Sequence, residues 1–223
     1  MQLTVCLLNW RRPENLHAIV EALRRQTCKP AIFLWNNSGL PFFHEGIDWQ
    51  IDSDRNVGCS ARWIMGAYAT TECVASLDDD LLPGDDDLLQ DAMDSLFRLG
   101  GPVGMAIGAF GVVLDPIADY SEAAHVSTPQ KDTRVDIVKG RLLLTRTRDL
   151  LLALPSLFPG DGKPACEDDI ALCGALAGGA HGYHHLPGIF RGRLVELDAG
   201  GVGLQDRPDH YDRREAVRRE WFP

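Results

Sequence analysis

The chain has 223 residues, 45% hydrophobic and 24% charged, and its 32 acidic side chains against 22 basic ones give a formal net charge of −10. These proportions exclude a disordered tail or a fibrous repeat, and a chain of this length can withdraw roughly 70% of its extended surface into one core without staples. The acidic excess repels phosphate backbones and anionic headgroups, which excludes nucleic acid as a partner. A small nucleotide is still admitted wherever helix N-termini, arginines or a divalent cation reverse the field locally.

The six cysteines, Cys6, Cys28, Cys59, Cys73, Cys166 and Cys173, are scattered and form no CxxC pair, so they are read as reduced thiols with no zinc site. Leu3–Leu8 is too short for a secretory leader and has no basic segment before it. No stretch approaches the ~18 apolar residues that cross a bilayer. The expectation is a soluble, cytoplasmic chain.

In chain order, Leu3 to Leu8 predicts a buried strand, and Pro13 with Leu16, Ile19, Val20 and Leu23 predicts an amphipathic helix ending at Gln26. Ala31 to Trp35 is a second strand, closed by Asn36-Asn37-Ser38-Gly39. A weak strand at Trp49 to Ile51 precedes Arg55-Asn56-Val57-Gly58 and a helix from Ser60 to Ala69, with Ser60 as its cap. Val74 to Leu77 is a fourth strand, stopped by Asp78-Asp79-Asp80. A helix carrying Leu88, Leu89, Ala92, Met93, Leu96 and Phe97 follows Asp85-Asp86-Asp87, which complement its dipole.

The second half is less regular. Val103 to Val113 reads as a glycine-interrupted strand, Asp119 to Asp132 as a polar loop, and Val135 to Leu144 as one or two strands broken at Gly140. Helices are predicted at Asp149 to Leu154, Asp168 to Ala177 and Asp209 to Trp221. With no repeat and no linker, the expectation is one α/β domain built on a mostly parallel sheet flanked by helices, with a Rossmann-like nucleotide-binding half (1–110) and an acceptor-side half (111–223). Ligands of such sheets lie at the carboxyl ends of strands, where Asn9 to Arg12, Asn36-Asn37 and Asp78 to Asp80 converge.

Three successive aspartates repel one another and raise each other's pKa, which a hard divalent cation with oxygen ligands relieves. A solvated acidic turn is the alternative. Some ninety residues on, Cys166-Glu167-Asp168-Asp169-Ile170-Ala171 opens an apolar helix. Its carboxylates serve either as cap and dipole partners or as groups facing a reacting carbon while the first cluster holds a cation and a departing diphosphate. His181, His184 and His185 are read as solvated loop histidines, and Arg11 as a surface arginine beside a functional Arg12.

These segments, taken in order, resemble nucleotide-sugar glycosyltransferases of the GT-A fold, and more closely the exostosin-like type, glycosyltransferase family 64. The matching segments are Asn9-Trp10-Arg11-Arg12, Phe33-Leu34-Trp35-Asn36-Asn37, Asn56 with Arg62-Trp63, Leu77-Asp78-Asp79-Asp80 as a DxD motif, Ile137-Val138-Lys139-Gly140, Cys166 to Ala171 with Glu167 as an inserted residue, and His210-Tyr211-Asp212-Arg213-Arg214. The resemblance implies transfer of a sugar from a UDP-sugar to a carbohydrate or other hydroxyl acceptor, with retention. It further implies Mn²⁺ (or Mg²⁺) held mainly by Asp80. Arg12, Asn36, Asn56, Arg62, Asp78 and Asp79 would then bind the nucleotide sugar, with Arg12 and Asn36 at the uracil and ribose end. Asp169, Asp168 and Arg214 would lie at the reacting centre, and Arg62 and Arg214 would stabilise the departing diphosphate. The rivals are an inverting family-2-type transferase, a nucleotidyltransferase, for which a glycine-rich phosphate loop with a lysine is missing, and a non-catalytic sugar-nucleotide-binding module.

Overall fold

The computed structural model describes residues 1–100, 104–158, 167–197 and 207–223; the expected start of a strand at Val103, and Cys166, lie outside them. The first half contains β1 (Leu3–Asn9), α1 (Pro13–Arg25), β2 (Ala31–Asn36), β3 (Trp49–Asp52), α2 (Ala61–Gly66), β4 (Cys73–Leu77), β5 (Leu81–Pro83) and α3 (Leu88–Leu99). The second contains β6 (Ala106–Gly108), β7 (Phe110–Val113), β8 (Ala124–Ser127), β9 (Thr133–Val135), β10 (Ile137–Val138), β11 (Leu142–Arg146), α4 (Thr147–Ala153), α5 (Asp168–Ala177), β12 (His184–Leu186), β13 (Leu194–Glu196) and α6 (His210–Trp221).

An eight-stranded sheet runs in the order β3-β2-β1-β4-β11-β6-β12-β9. Its first four strands are parallel, β11 runs antiparallel between β4 and β6, and β12 is parallel to β6. The parallel half therefore ends with Asn9, Asn36 and Leu77 on one edge, where the ligands of such sheets gather. β10-β7-β8 and β13-β5 form two further small sheets.

Strand alternation divides the core between the two sheet faces. Leu3, Val5 and Leu7 of β1, with Ala75 and Leu77 of β4, face the buried side of α1 (Leu16, Ile19, Val20, Leu23) and of α3 (Leu88, Leu89, Ala92, Met93, Leu96). Cys6 and Val74 point the other way, onto Trp63 and Met65 of α2 and Ile170 to Cys173 of α5. Each fully buried leucine contributes about 1.5–3 kcal/mol of transfer free energy. α1 starts with Pro13, has Glu14 in its first turn and ends on Arg24 and Arg25, the charge order that complements its dipole.

Several local expectations change in context. α2 is shorter than Ser60 to Ala69, and Ser60, itself in helical geometry, makes no side-chain cap. At the start of α3 the work is done by buried Gln26. Its Oε1 accepts from Leu89 N at 3.0 Å and its Nε2 donates to the Asp85 carbonyl at 2.6 Å. The Asp85 carboxylate instead takes two bonds from Arg193, at 2.6 and 2.7 Å, which hold its pKa below the usual range.

The described stretch 104–113 holds two strands, β6 and β7, in different sheets, and at Gly108, the end of β6, a Cβ would lie 2.2 Å from the Leu142 carbonyl oxygen. The expected loop from Asp119 to Asp132 contains a 3-10 turn (Tyr120–Glu122) and β8. Tyr120 is fully buried there.

His184, expected to be solvated, is fully buried on β12. Its Nδ1 accepts from Ala106 N at 3.1 Å and its Nε2 donates to the Cys173 carbonyl at 2.9 Å, an arrangement that admits only the neutral ring. Burial pushes its pKa down from 6.5 to about 4. The unfolded chain binds this proton first, so the stability His184 provides is complete above about pH 6.5 and is lost as pH falls toward 4, by roughly 3 kcal/mol in all. Urea midpoints from pH 7 to 4 are expected to fall more steeply for the native protein than for His184→Gln; parallel slopes would contradict a buried neutral ring. Cys6, Cys28, Cys59, Cys73 and Cys173 are free thiols. Among the described residues, no helix is long and apolar enough to cross a membrane.

Candidate functional site

At the carboxyl edge of the parallel strands, Asn36 is buried and its amide is saturated. Its Oδ1 accepts from Asn9 Nδ2 at 2.9 Å and Ser38 Oγ at 2.7 Å, and its Nδ2 donates to Asp52 Oδ1 and to the Leu40 carbonyl, each at 2.7 Å. It thereby ties the ends of β1, β2 and β3 into one rim. Asn37 extends the rim to the following loop by accepting from Val57 N at 3.1 Å. Asn56 is exposed in that loop, and its Oδ1 accepts from Gly58 N at 2.8 Å. These bonds place Asn56 at the rim, apart from the carboxylate cluster.

Beyond β1 the chain turns sharply: Arg11 is exposed, takes a left-handed φ of 66° and lies over the Trp10 ring at 4.6 Å. The turn aims Trp10 N–H and the Arg12 guanidinium at Asp79. The Asp79 carboxylate accepts from Arg12 Nη1 at 2.6 Å and Trp10 N at 3.2 Å, while Asn15 Nδ2 donates to its carbonyl at 2.9 Å. Burial nevertheless pushes Asp79 up to about 6, with Arg12 opposing. Asp80 has longer contacts, 3.3 Å to Arg12 Nη1 and 3.2 Å to Arg141 Nη2.

Arg62, on buried α2, joins the two acidic clusters. Its Nη1 donates to Asp78 Oδ1 at 2.8 Å and to the Gly140 carbonyl at 2.9 Å. Its Nε and Nη2 reach the two oxygens of Asp168 at 2.7 and 3.1 Å, and Trp63 Nε1 adds a third bond to Asp168 at 2.7 Å. Burial alone would lower the Arg62 pKa, but Asp168 and Asp78 carry it well above normal. Gly140 is required here, because a Cβ would lie 2.6 Å from the guanidinium. Asp78 is raised by burial, with Arg62 opposing.

Asp169 lies one residue further, in the first turn of α5. Its Oδ2 accepts from Arg214 Nη2 at 2.9 Å and its Oδ1 from Ile170 N at 2.9 Å. Burial works to raise its pKa, but the charge and hydrogen bond of Arg214 hold it below the usual carboxylate range. Arg214 also donates to Glu167 Oε2 at 3.1 Å and lies over the buried Tyr120 ring at 4.8 Å. Glu167, expected as an insertion, is thus a partner of Arg214. Tyr120 and Arg141 were missed as well. No motif marks Arg141, and its one local signal is the adjacent Gly140.

The structure therefore brings Arg12 to Asp79 and Asp80, Arg62 to Asp78 and Asp168, and Arg214 to Asp169, three ion-pair clusters made neighbours by the chain at Asp78-Asp79 and Asp168-Asp169, with Asn36 on the rim. Six carboxylates (Asp78, Asp79, Asp80, Glu167, Asp168, Asp169) meet five guanidiniums (Arg12, Arg62, Arg141, Arg213, Arg214). Among the described residues, no three His, Cys, Asp or Glu side chains are arranged to hold a metal ion by themselves. Asp80 still suits a hard cation: it presents carboxylate oxygens whose contacts exceed 3.1 Å, whereas the carboxylate of Asp79 is held at 2.6 Å.

The fold is that of the GT-A-type glycosyltransferases. A mannosyltransferase from Pyrobaculum calidifontis, PcManGT, solved with GDP-Man and Mn²⁺, superposes with a TM-score of 0.55 at 16% identity over 86% of this chain and 58% of that one. TarS of S. aureus superposes at 0.58 and 12% identity over 99% of this chain and 39% of its own, and TarS 1-349 at 0.57 and 12% over 88% and 60%. The chain thus spans less than two thirds of each of these proteins. No protein-family profile and no curated protein matches the sequence.

Proposed function

We propose that the protein is a metal-dependent, exostosin-like glycosyltransferase that moves a hexosyl or N-acetylhexosaminyl group from a UDP-sugar to an acceptor hydroxyl with retention. The observation that carries this reading is the Arg62 bridge. One buried guanidinium binds both Asp78 and Asp168, so the aspartate run and the acidic pair meet in a single buried cluster. The motifs around Arg12, Asn36 and Asp78 to Asp80 support the uridine donor by resemblance, and the GDP-Man and Mn²⁺ of the P. calidifontis neighbour support a nucleotide-sugar donor with a divalent cation. Residues 1–110 would bind the nucleotide and 111–223 shape the acceptor side of a single domain.

In this reading Asp80 supplies one ligand to Mn²⁺ or Mg²⁺, and the cation, when bound, neutralises charge developing on the leaving diphosphate. Asn36 holds the rim against which the base and ribose rest, and Asn56 closes it from the neighbouring loop. Arg12 orients Asp79 and Asp80. Asp168 acts as a positioning residue for Arg62. Asp169, fixed by Arg214 and kept ionised, is a poor proton acceptor but a fixed negative charge beside an oxocarbenium-like carbon. That favours an electrostatic role over the general base of an inverting enzyme, and the anomeric configuration of the product, read by NMR, tests it.

The donor test is thermal stability against UDP, UDP-sugars, GDP and GDP-mannose, each with Mn²⁺ and with EDTA. At a hundredfold excess over Kd, a ligand stabilises by about 2.7 kcal/mol, or about 5–10 °C for a chain this long. A rise with uridine nucleotides that EDTA removes is expected. Asp80→Asn should abolish that rise while leaving the ligand-free melting point within about 2 °C, since its two contacts are long, 3.2 and 3.3 Å, and asparagine keeps an oxygen to accept from them. A rise with GDP alone would replace uridine by guanosine, and no rise with any nucleotide would overturn the assignment.

A further inference from the structure

Arg62 and Arg214, the arginines expected at the departing diphosphate, are already engaged. Each is buried and binds two carboxylates, Asp78 and Asp168 for Arg62, and Glu167 and Asp169 for Arg214, Glu167 being shared with Arg213 at 3.4 Å. Arg141 differs. Its backbone is anchored, because Asp78 N donates to its carbonyl at 3.0 Å, but its side chain is 29% exposed. The guanidinium rests on the Phe110 ring at 4.7 Å and makes two long contacts, 3.2 Å to Asp80 Oδ1 and 3.3 Å to the exposed Glu196. Long, partly exposed ion pairs contribute little, so this side chain can leave its partners cheaply.

A cation at Asp80 would compete for the oxygen that Arg141 holds, and the released guanidinium would stand beside that cation, where the diphosphate must also lie. We propose, building on the function above, that Arg141 binds the donor's diphosphate, and that without donor it occupies the cation's place on Asp80. Cation and donor then load together. The planar fork of an arginine suits two phosphate oxygens, and the Phe110 face supports the guanidinium beside Asp80.

The proposal gives Arg141→Gln two effects of opposite sign. Mn²⁺ alone, titrated into the protein and followed by the EPR signal of free Mn²⁺, should bind about two- to fivefold more tightly, because a competing, partly buried ion pair is gone. UDP or GDP with saturating Mn²⁺, followed by calorimetry, should bind about ten- to a hundredfold more weakly, the loss of a charge-assisted hydrogen bond. Arg141→Lys should recover part of the nucleotide affinity, and the corresponding monophosphates should change little.

Unchanged diphosphate affinity in Arg141→Gln, or equal weakening of both Mn²⁺ and nucleotide, would overturn the role; equal weakening would mark Arg141 as a support for Asp80. If the native protein itself bound neither UDP nor GDP, the proposed function would fail, and this role with it. A failure confined to the variant would remove Arg141 alone.

Discussion

Asp168→Ala is expected to lower stability by about 3–5 kcal/mol, or on the order of 10 °C in Tm, the range for removing one partner from a buried ion pair. The substitution strands Arg62 Nε and Nη2 and Trp63 Nε1 in the core, 106 and 105 residues away in sequence. Asp78 and the Gly140 carbonyl retain only Nη1. Asp168→Asn keeps an acceptor for Trp63 and is expected to recover about half of the loss. Thermal unfolding followed by circular dichroism checks both. A melting point within a degree of the native one for the alanine variant would show that water or another carboxylate solvates Arg62, and that Asp168 is not its anchor.

Asp169→Asn is expected to act on rate rather than on donor binding. Asparagine keeps an oxygen that can accept from Arg214 or from Ile170 N, but it removes the negative charge. Loss of a preorganised charge acting at the reacting centre lowers kcat by about 10²–10³-fold. The nucleotide diphosphate should still stabilise the variant against heat within a few-fold in Kd. The rate is read as UDP release, with water as well as with sugar acceptors. Native turnover in the variant would remove Asp169 from the chemistry, whereas lost nucleotide binding would make it a donor ligand.

Periodicity made the first half of the fold legible. Leu3 to Leu8 and Cys73 to Leu77 are runs broken only by Thr4 and Ser76 because both faces of a central strand are buried, and α1 and α3 show the 3.6-residue stripe of helices lying on one face. The bounds of α5, Asp168 to Ala177, were equally readable from its acidic first turn and apolar run. Strands of two or three residues, such as β5, β9, β10, β12 and β13, are too short to show a period. They exist only because a neighbouring chain supplies their hydrogen bonds. His184 shows the same limit: two backbone groups, at Ala106 and Cys173, turn a polar residue expected in solvent into part of the core.

The sequence by itself determined which side chains stand at the ends of strands, because strand length and the turn that follows are local matters. It placed Arg12, Asn36 and Asp78 to Asp80 on one edge and Asp168 and Asp169 at a helix start. Only the tertiary structure decided which of these groups are joined. Arg62 with Asp168, Arg141 with Asp80, and Arg214 with Asp169 and Glu167 are contacts across 45 to 106 residues. The physical reason is that buried charges must find counter-charges wherever the packed core leaves them, so ion-pair choice follows from burial and approach distance, which no local pattern encodes.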